Sequence, residues 1–80
     1  MLKRIELYTA GVSAEQREAL LEVIYQVLRI SPGMVSASGE YELQLRPGDL
    51  QEDPPVVVIA GRRFSQVTPE RLRTLIASSR

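Results

Sequence analysis

Two adjacent prolines, Pro54 and Pro55, stand directly ahead of the run Val56-Val57-Val58-Ile59-Ala60. No other stretch restricts the fold as strongly. Proline fixes φ and has no N–H, so in a sheet it belongs at an edge or at the mouth of a strand. A short continuous run of β-branched residues fits a strand buried on both faces, which places it centrally in its sheet. Gly61-Arg62 then predicts a tight turn, and Arg63–Val67 is expected to return antiparallel. Thr68 suits a helix N-cap, with Pro69 at the first helical position. The closing helix places Leu72, Leu75 and Ile76 on one face.

Upstream, Lys3 to Ala10 reads as a first strand. Ile5 and Leu7 share one face, while Arg4, Glu6 and Tyr8 take the other. Gly11 supplies a turn, and Ser13 with Gln16 three residues later forms a capping box. The spacing predicts a helix from about Ala14 to Arg29. Glu15, Glu18, Glu22, Gln26 and Arg29 form its polar stripe. Leu20, Leu21, Val23, Ile24, Val27, Leu28 and Ile30 form an apolar arc wider than one sheet contact requires, with Tyr25 at its margin. A second helix packed on the flank is the expected explanation, and contact with a partner is the alternative. Pro32 and Gly33 end the helix. Val35–Glu40 reads as a loop or a short edge piece. Tyr41, Leu43 and Leu45 alternate with Glu42, Gln44 and Arg46, as in a strand with one wet face. Gly48–Asp53 is an acidic loop with room for one helical turn.

The predicted order is β-α-β-β-β-α in a single domain, 1–80. A helix joining two strands implies that they are parallel, and the last two strands form a hairpin. The expected class is therefore α/β with a mixed (α+β) arrangement: a four-stranded mixed sheet with both helices on one face. Glu6, Glu42 and Gln44 would line the other.

Composition excludes more than it suggests. Ten basic residues balance ten acidic ones, and the chain has no Cys and no His. There is then no thiolate nucleophile, no disulfide, no Cys-ligated metal or iron–sulfur cluster, and no imidazole base or ligand. A neutral chain lacks the broad basic field that drives non-specific nucleic-acid binding. No apolar run reaches transmembrane length and the N-terminus carries no secretory pattern, so a soluble, cytoplasmic protein is expected. At this length roughly 60–65% of the unfolded chain's surface is buried on folding, which leaves little surplus. Glu15, Glu18 and Glu22 follow helical spacing and read as a solvated stripe. Asp49, Glu52 and Asp53 lack the spacing and the glycine of a calcium loop. No metal site and no cofactor is expected.

The order of elements, with a proline directly before the third strand, resembles the thioredoxin-like superfamily, in particular its glutaredoxin-like branch. The likeness rests on "IELYTAG", "PPVVVIAGRRF" and "VTPERLRTLI" and spans nearly the whole chain. It implies that Pro55 occupies the slot of the family's cis-proline. It also implies that the turn "GVSAE" stands where relatives carry their redox cysteines, with Val12 and Glu15 in those slots. Thiol–disulfide exchange needs a thiolate, and neither Val12, Ser13 nor Glu15 supplies one. The thioredoxin-like ferredoxins share similar strand-end features, but their cluster requires the cysteines absent here.

The expectation is a redox-inactive, non-catalytic interaction or scaffold module. The alternative is a degenerate glutaredoxin-like protein whose groove still holds a peptide or thiol ligand. Val12, Ser13, Glu15, Pro54, Pro55 and Thr68 would form that groove. Tyr8, Tyr25, Arg62 and Arg63 are candidates for a partner surface, for a homodimer or a hetero-complex. Arg71, Arg73 and Arg80 extend the basic C-terminal third, whereas residues 40–53 lean acidic. Phe64 alone stands near these arginines as a stacking group, which disfavours nucleic acid as a partner.

Overall fold

The computed structural model describes residues 2–79, so the expectation placed on Arg80 lies outside the described residues. Strands β1 (Lys3–Tyr8), β2 (Tyr41–Arg46), β3 (Val56–Ile59) and β4 (Arg62–Phe64) alternate with helices α1 (Ala14–Leu28) and α2 (Pro69–Ser78) in the order β-α-β-β-β-α. They form a four-stranded mixed sheet ordered β2-β1-β3-β4. β1 runs parallel to β2, with Ile5 opposite Leu43. It runs antiparallel to β3, with Leu7 opposite Val57. β4 pairs antiparallel with β3, with Val57 opposite Phe64.

Both helices cover one face. Ile5, Leu7, Tyr41, Leu43, Val57 and Ile59 from the strands share a buried cluster with Leu20, Val23 and Ile24 of α1 and Leu72 and Ile76 of α2. The wide apolar arc of α1 is thus covered by the sheet below and by α2 beside it, where Arg73 Nη2 donates to Gln26 Oε1 at 2.9 Å. Tyr25 is the exception and stays half exposed at 50%. Tyr41 ties the C-terminal end of α2 to the sheet. Its hydroxyl meets Ser79 Oγ at 3.1 Å, and the Lys3 ammonium, 5.7 Å from the Tyr41 ring centroid, donates to the Ser79 carbonyl. A cation at the carbonyl end of a helix complements its dipole.

The sequence expectations shift at four places. α1 stops at Leu28, and Arg29 is the C-cap in the left-handed region, its N–H donating to the Tyr25 carbonyl. The hairpin turn is Ala60-Gly61, one residue earlier than expected, with φ of 51° and 83°. That conformation matches the right-handed strand twist and is cheapest for glycine. β4 is shorter than Arg63–Val67 because Gln66, at φ 50°, turns the chain away. There the Gln66 N–H donates to the Asp53 carbonyl at 2.9 Å and the Val67 N–H to the Pro55 carbonyl at 3.0 Å. The acidic loop forms no helical turn. Asp49 Oδ1 instead accepts from the Gln51 N–H at 2.8 Å, and Gln51 sits at φ 59°.

Residues 33–36 form the edge piece, lying along the outer side of β2. The Gly33 N–H donates to the Leu43 carbonyl, the Leu43 N–H to the Met34 carbonyl and the Ser36 N–H to the Tyr41 carbonyl, at 2.8, 3.1 and 2.7 Å. The β2 edge is therefore occupied, whereas β4 forms the other edge of the sheet.

Candidate functional site: the proline cleft

The β1–α1 turn and the head of β3 meet because Gly11 permits it. Gly11 lies at φ 74°, and a Cβ there would come within 3.0 Å of Pro54 Cγ. The Val12 N–H donates back to the Thr9 carbonyl at 3.1 Å, closing the turn. Ser13 then caps α1: its Oγ accepts from the Gln16 N–H, and Gln16 Oε1 accepts from the Ser13 N–H, both at 3.1 Å. The Pro54–Pro55 peptide bond is cis. Downstream, Thr68 caps α2, its Oγ1 accepting from the Arg71 N–H at 3.2 Å. Val67 before that cap and Leu72 four residues after it are both buried in the core, the pattern of a hydrophobic staple that fixes how the chain enters α2.

These segments enclose a cleft of about 350 Å³. Of the residues expected in a groove, Glu15, Pro54, Pro55 and Thr68 line it. Val12 and Ser13 belong to the turn that precedes it, and the Ser13 hydroxyl is spent on the helix cap. The lining also includes Gln16, Ala19 and Leu20 from α1 and Gln66, Val67 and Pro69 from the approach to α2. Ala19 could have been read from Glu15, and Leu20 from Gln16, by the i,i+4 spacing of a helix. Val67 and Pro69 were legible from the staple and the cap. Nothing in the sequence pointed to Gln66, whose side chain is placed by Nε2 donating to Asp53 Oδ2 across 13 residues at 3.0 Å.

The cleft is predominantly apolar, and its side-chain amide donors are those of Gln16 and Gln66. Neither Pro54 nor Pro55 has an N–H, and the Pro55 carbonyl is taken by Val67. The Thr68 and Ser13 hydroxyls both serve caps. Glu15, exposed in the first turn of α1, puts a carboxylate at the rim, where it complements the helix dipole. No side chain here forms a nucleophile–base pair of the kind covalent catalysis needs. Among the described residues no three carboxylate, imidazole or thiol groups cluster as metal ligands.

The four partner-surface candidates do not form one patch. Tyr8 and Arg63 lie on the sheet face away from the helices, as the register with Val56 and Val58 requires. Arg62 lies on the helix side of β4, its guanidinium 5.7 Å from the Phe64 ring centroid. Tyr25 stands on α1, with the Arg29 guanidinium 5.8 Å from its ring. The β2–β3 loop approaches Tyr8, whose Cε2 is 3.9 Å from where a Cβ on Gly48 would sit. The Tyr8 hydroxyl donates to Glu6 Oε2 at 3.1 Å. Burial raises the Tyr8 phenol above its ordinary value of 10.0, and the hydrogen bond and charge of Glu6 add to the rise. Comparison of the sequence with protein-family models and with curated proteins gives no significant match.

Proposed function

We propose that this protein is a non-catalytic protein-interaction or scaffold module built on a thioredoxin-like domain. The observation that carries this reading is the chemistry of the proline cleft. The cap at the head of α1 uses its hydroxyl structurally, the adjacent slots hold Val12 and Glu15, and the prolines offer no N–H to a substrate strand. Relatives resembled by this sequence bind peptide or glutathione at that backbone and attack with a cysteine, and both the backbone N–H donor and the cysteine are missing from these residues. The four-stranded mixed sheet with its buried core supports the scaffold part of this reading. Immobilised protein, used to capture partners from the native host, should return the same protein repeatedly. Repeated empty captures would sink the reading.

A second reading is favoured by the cleft volume of about 350 Å³ beside Pro55. On this reading the groove still holds a thiol or peptide ligand without reacting with it. Glutathione at millimolar concentration should then shift the amide signals of Ala10–Glu15 and Val56. Unchanged signals at that concentration would remove this alternative.

A further inference from the structure

The two sheet edges are not equivalent. Residues 33–36 cover β2, while β4 pairs only with β3. The Ala60 N–H donates to the Arg4 carbonyl at 3.0 Å. Alternation along an antiparallel strand then points Val57 and Ile59 toward β4. Their partners Phe64 and Arg62 bond inward, so the backbone N–H and carbonyl of Arg63 point out from the sheet. That is the donor–acceptor pair a further strand needs.

Beside this edge, between β4 and α2, lies a groove of about 420 Å³ with Ile59, Phe64 and Leu75 among its lining residues and Lys3 and Arg62 as its charged ones. Arg71 adds a third cation, its guanidinium 6.0 Å from the Phe64 ring centroid. Arg63 adds a fourth on the opposite face. Among the described residues, the one carboxylate within ion-pair distance of these four is Glu52, 3.2 Å from Arg63 Nε. The Glu52 oxygen concerned is buried and makes no hydrogen bond, so Arg63 is its one polar partner among the described residues, and a docking carboxylate has to share Arg63 with it. Charged edge strands deter self-pairing, and two copies meeting through β4 would oppose arginine to arginine, which is unfavourable. An acidic strand meets no such penalty.

We propose that β4 and the groove between it and α2 dock an extended acidic segment of a partner protein, which adds to the sheet as a fifth strand antiparallel to β4. The residue opposite Arg63 is acidic and lies on the open face of the sheet. Its neighbours are apolar and turn toward Phe64 and Leu75, so of the four cations Arg63 alone faces an acidic side chain directly, and Lys3, Arg62 and Arg71 add only a positive field around the groove. Backbone pairing supplies affinity, and the alternation of side chains supplies selectivity. This inference rests on the interaction-module reading and names its surface and its partner class.

The test uses the full chain, ¹⁵N-labelled, titrated with the probe peptide acetyl-SELELES-amide. Shifts are expected at Arg62–Phe64 and Leu75–Ser79, with Ala10–Glu15 unmoved. The lysine counterpart acetyl-SKLKLKS-amide should not bind. N-methylation of the glutamates removes the donors aimed at β4 and should abolish binding, whereas N-methylation of the leucines faces solvent and should be tolerated. Arg63→Glu should weaken binding about tenfold or more, and Glu52→Gln should tighten it about two- to threefold by removing the competitor. Both variants are exposed or half-buried surface changes whose folding the same spectra report. The proposal is overturned if no shift occurs at millimolar peptide, if the shifts fall around Pro54, or if the glutamate-methylated peptide binds as well as the parent. A host partner retained equally by wild type and Arg63→Glu would overturn the β4 site and leave the interaction module standing.

Discussion

On one face of the sheet Ile5, Leu7, Leu43 and Val57 are fully buried under two helices. On the other, the same strands carry Arg4 against Glu42 at 3.7 Å and Arg46 against Glu6 at 3.8 Å, with Tyr8 leaning on Glu6. The strands are shared, yet the two faces are held by different forces. Removing a buried aliphatic side chain from water contributes about 1.5–3 kcal/mol. In these ion pairs the arginine side chains stay 50% and 41% exposed, and a pair that water screens in this way contributes about 0–1 kcal/mol because two long side chains must also be held still. The helix face therefore fixes the fold. The open face and the β4 edge are left with side chains whose replacement costs the fold little, which is where binding specificity is cheapest to place.

The sharpest way to break this comparison is Leu72→Ala. Leu72 is fully buried between α2 and the sheet, and its truncation should cost about 2–5 kcal/mol in denaturant unfolding. A loss below about 1 kcal/mol would mean that α2 is dispensable to the core. Thr68→Ala removes the cap that seats α2 and should cost about 1 kcal/mol, read as a lower denaturant midpoint in unfolding followed by circular dichroism. Glu6→Gln acts on the open face and should cost less than about 1 kcal/mol, with the difference shrinking as salt rises. A larger, salt-insensitive loss would show that the open face contributes to the fold on the same scale as the core.

The smallest effect concerns Tyr8. Its phenol is raised above 10.0 by burial and by Glu6, so the folded protein favours the neutral form. The associated stability is present below about pH 10 and is lost as pH rises through the folded-state value. The phenolate absorbance difference between wild type and Tyr8→Phe should therefore titrate with a midpoint above 10.0. A midpoint at or below that value would show that Tyr8 is more solvated than its contacts imply.

Much of the fold was legible because each level of the sequence agreed with the next. The alternation at Tyr41–Arg46, the β-branched run at Val56–Ile59 and the two caps at Ser13 and Thr68 appear in the structure where they were expected. The boundaries that moved are those set by non-glycine residues at positive φ: Arg29, Gln51, Ala60 and Gln66. Such residues carry little local signature, because the conformation is imposed by what surrounds them. The proline cleft was half legible. Glu15, Pro54, Pro55 and Thr68 were named through the family resemblance and line the cleft, while Gln66 arrives through a contact with Asp53 that no local rule predicts.

The sequence alone determined the element order, the apolar faces of the helices and the absence of thiol and imidazole chemistry, since these depend on periodicity and residue type. The tertiary structure decided which residues became neighbours across long separations. It set Pro54 against Gly11, left Val12 and Ser13 in the turn instead of the cleft, covered the β2 edge with residues 33–36 and left β4 as the other edge. Local propensity acts over a few residues, whereas strand order and the register of a crossover are chosen by how the whole core packs.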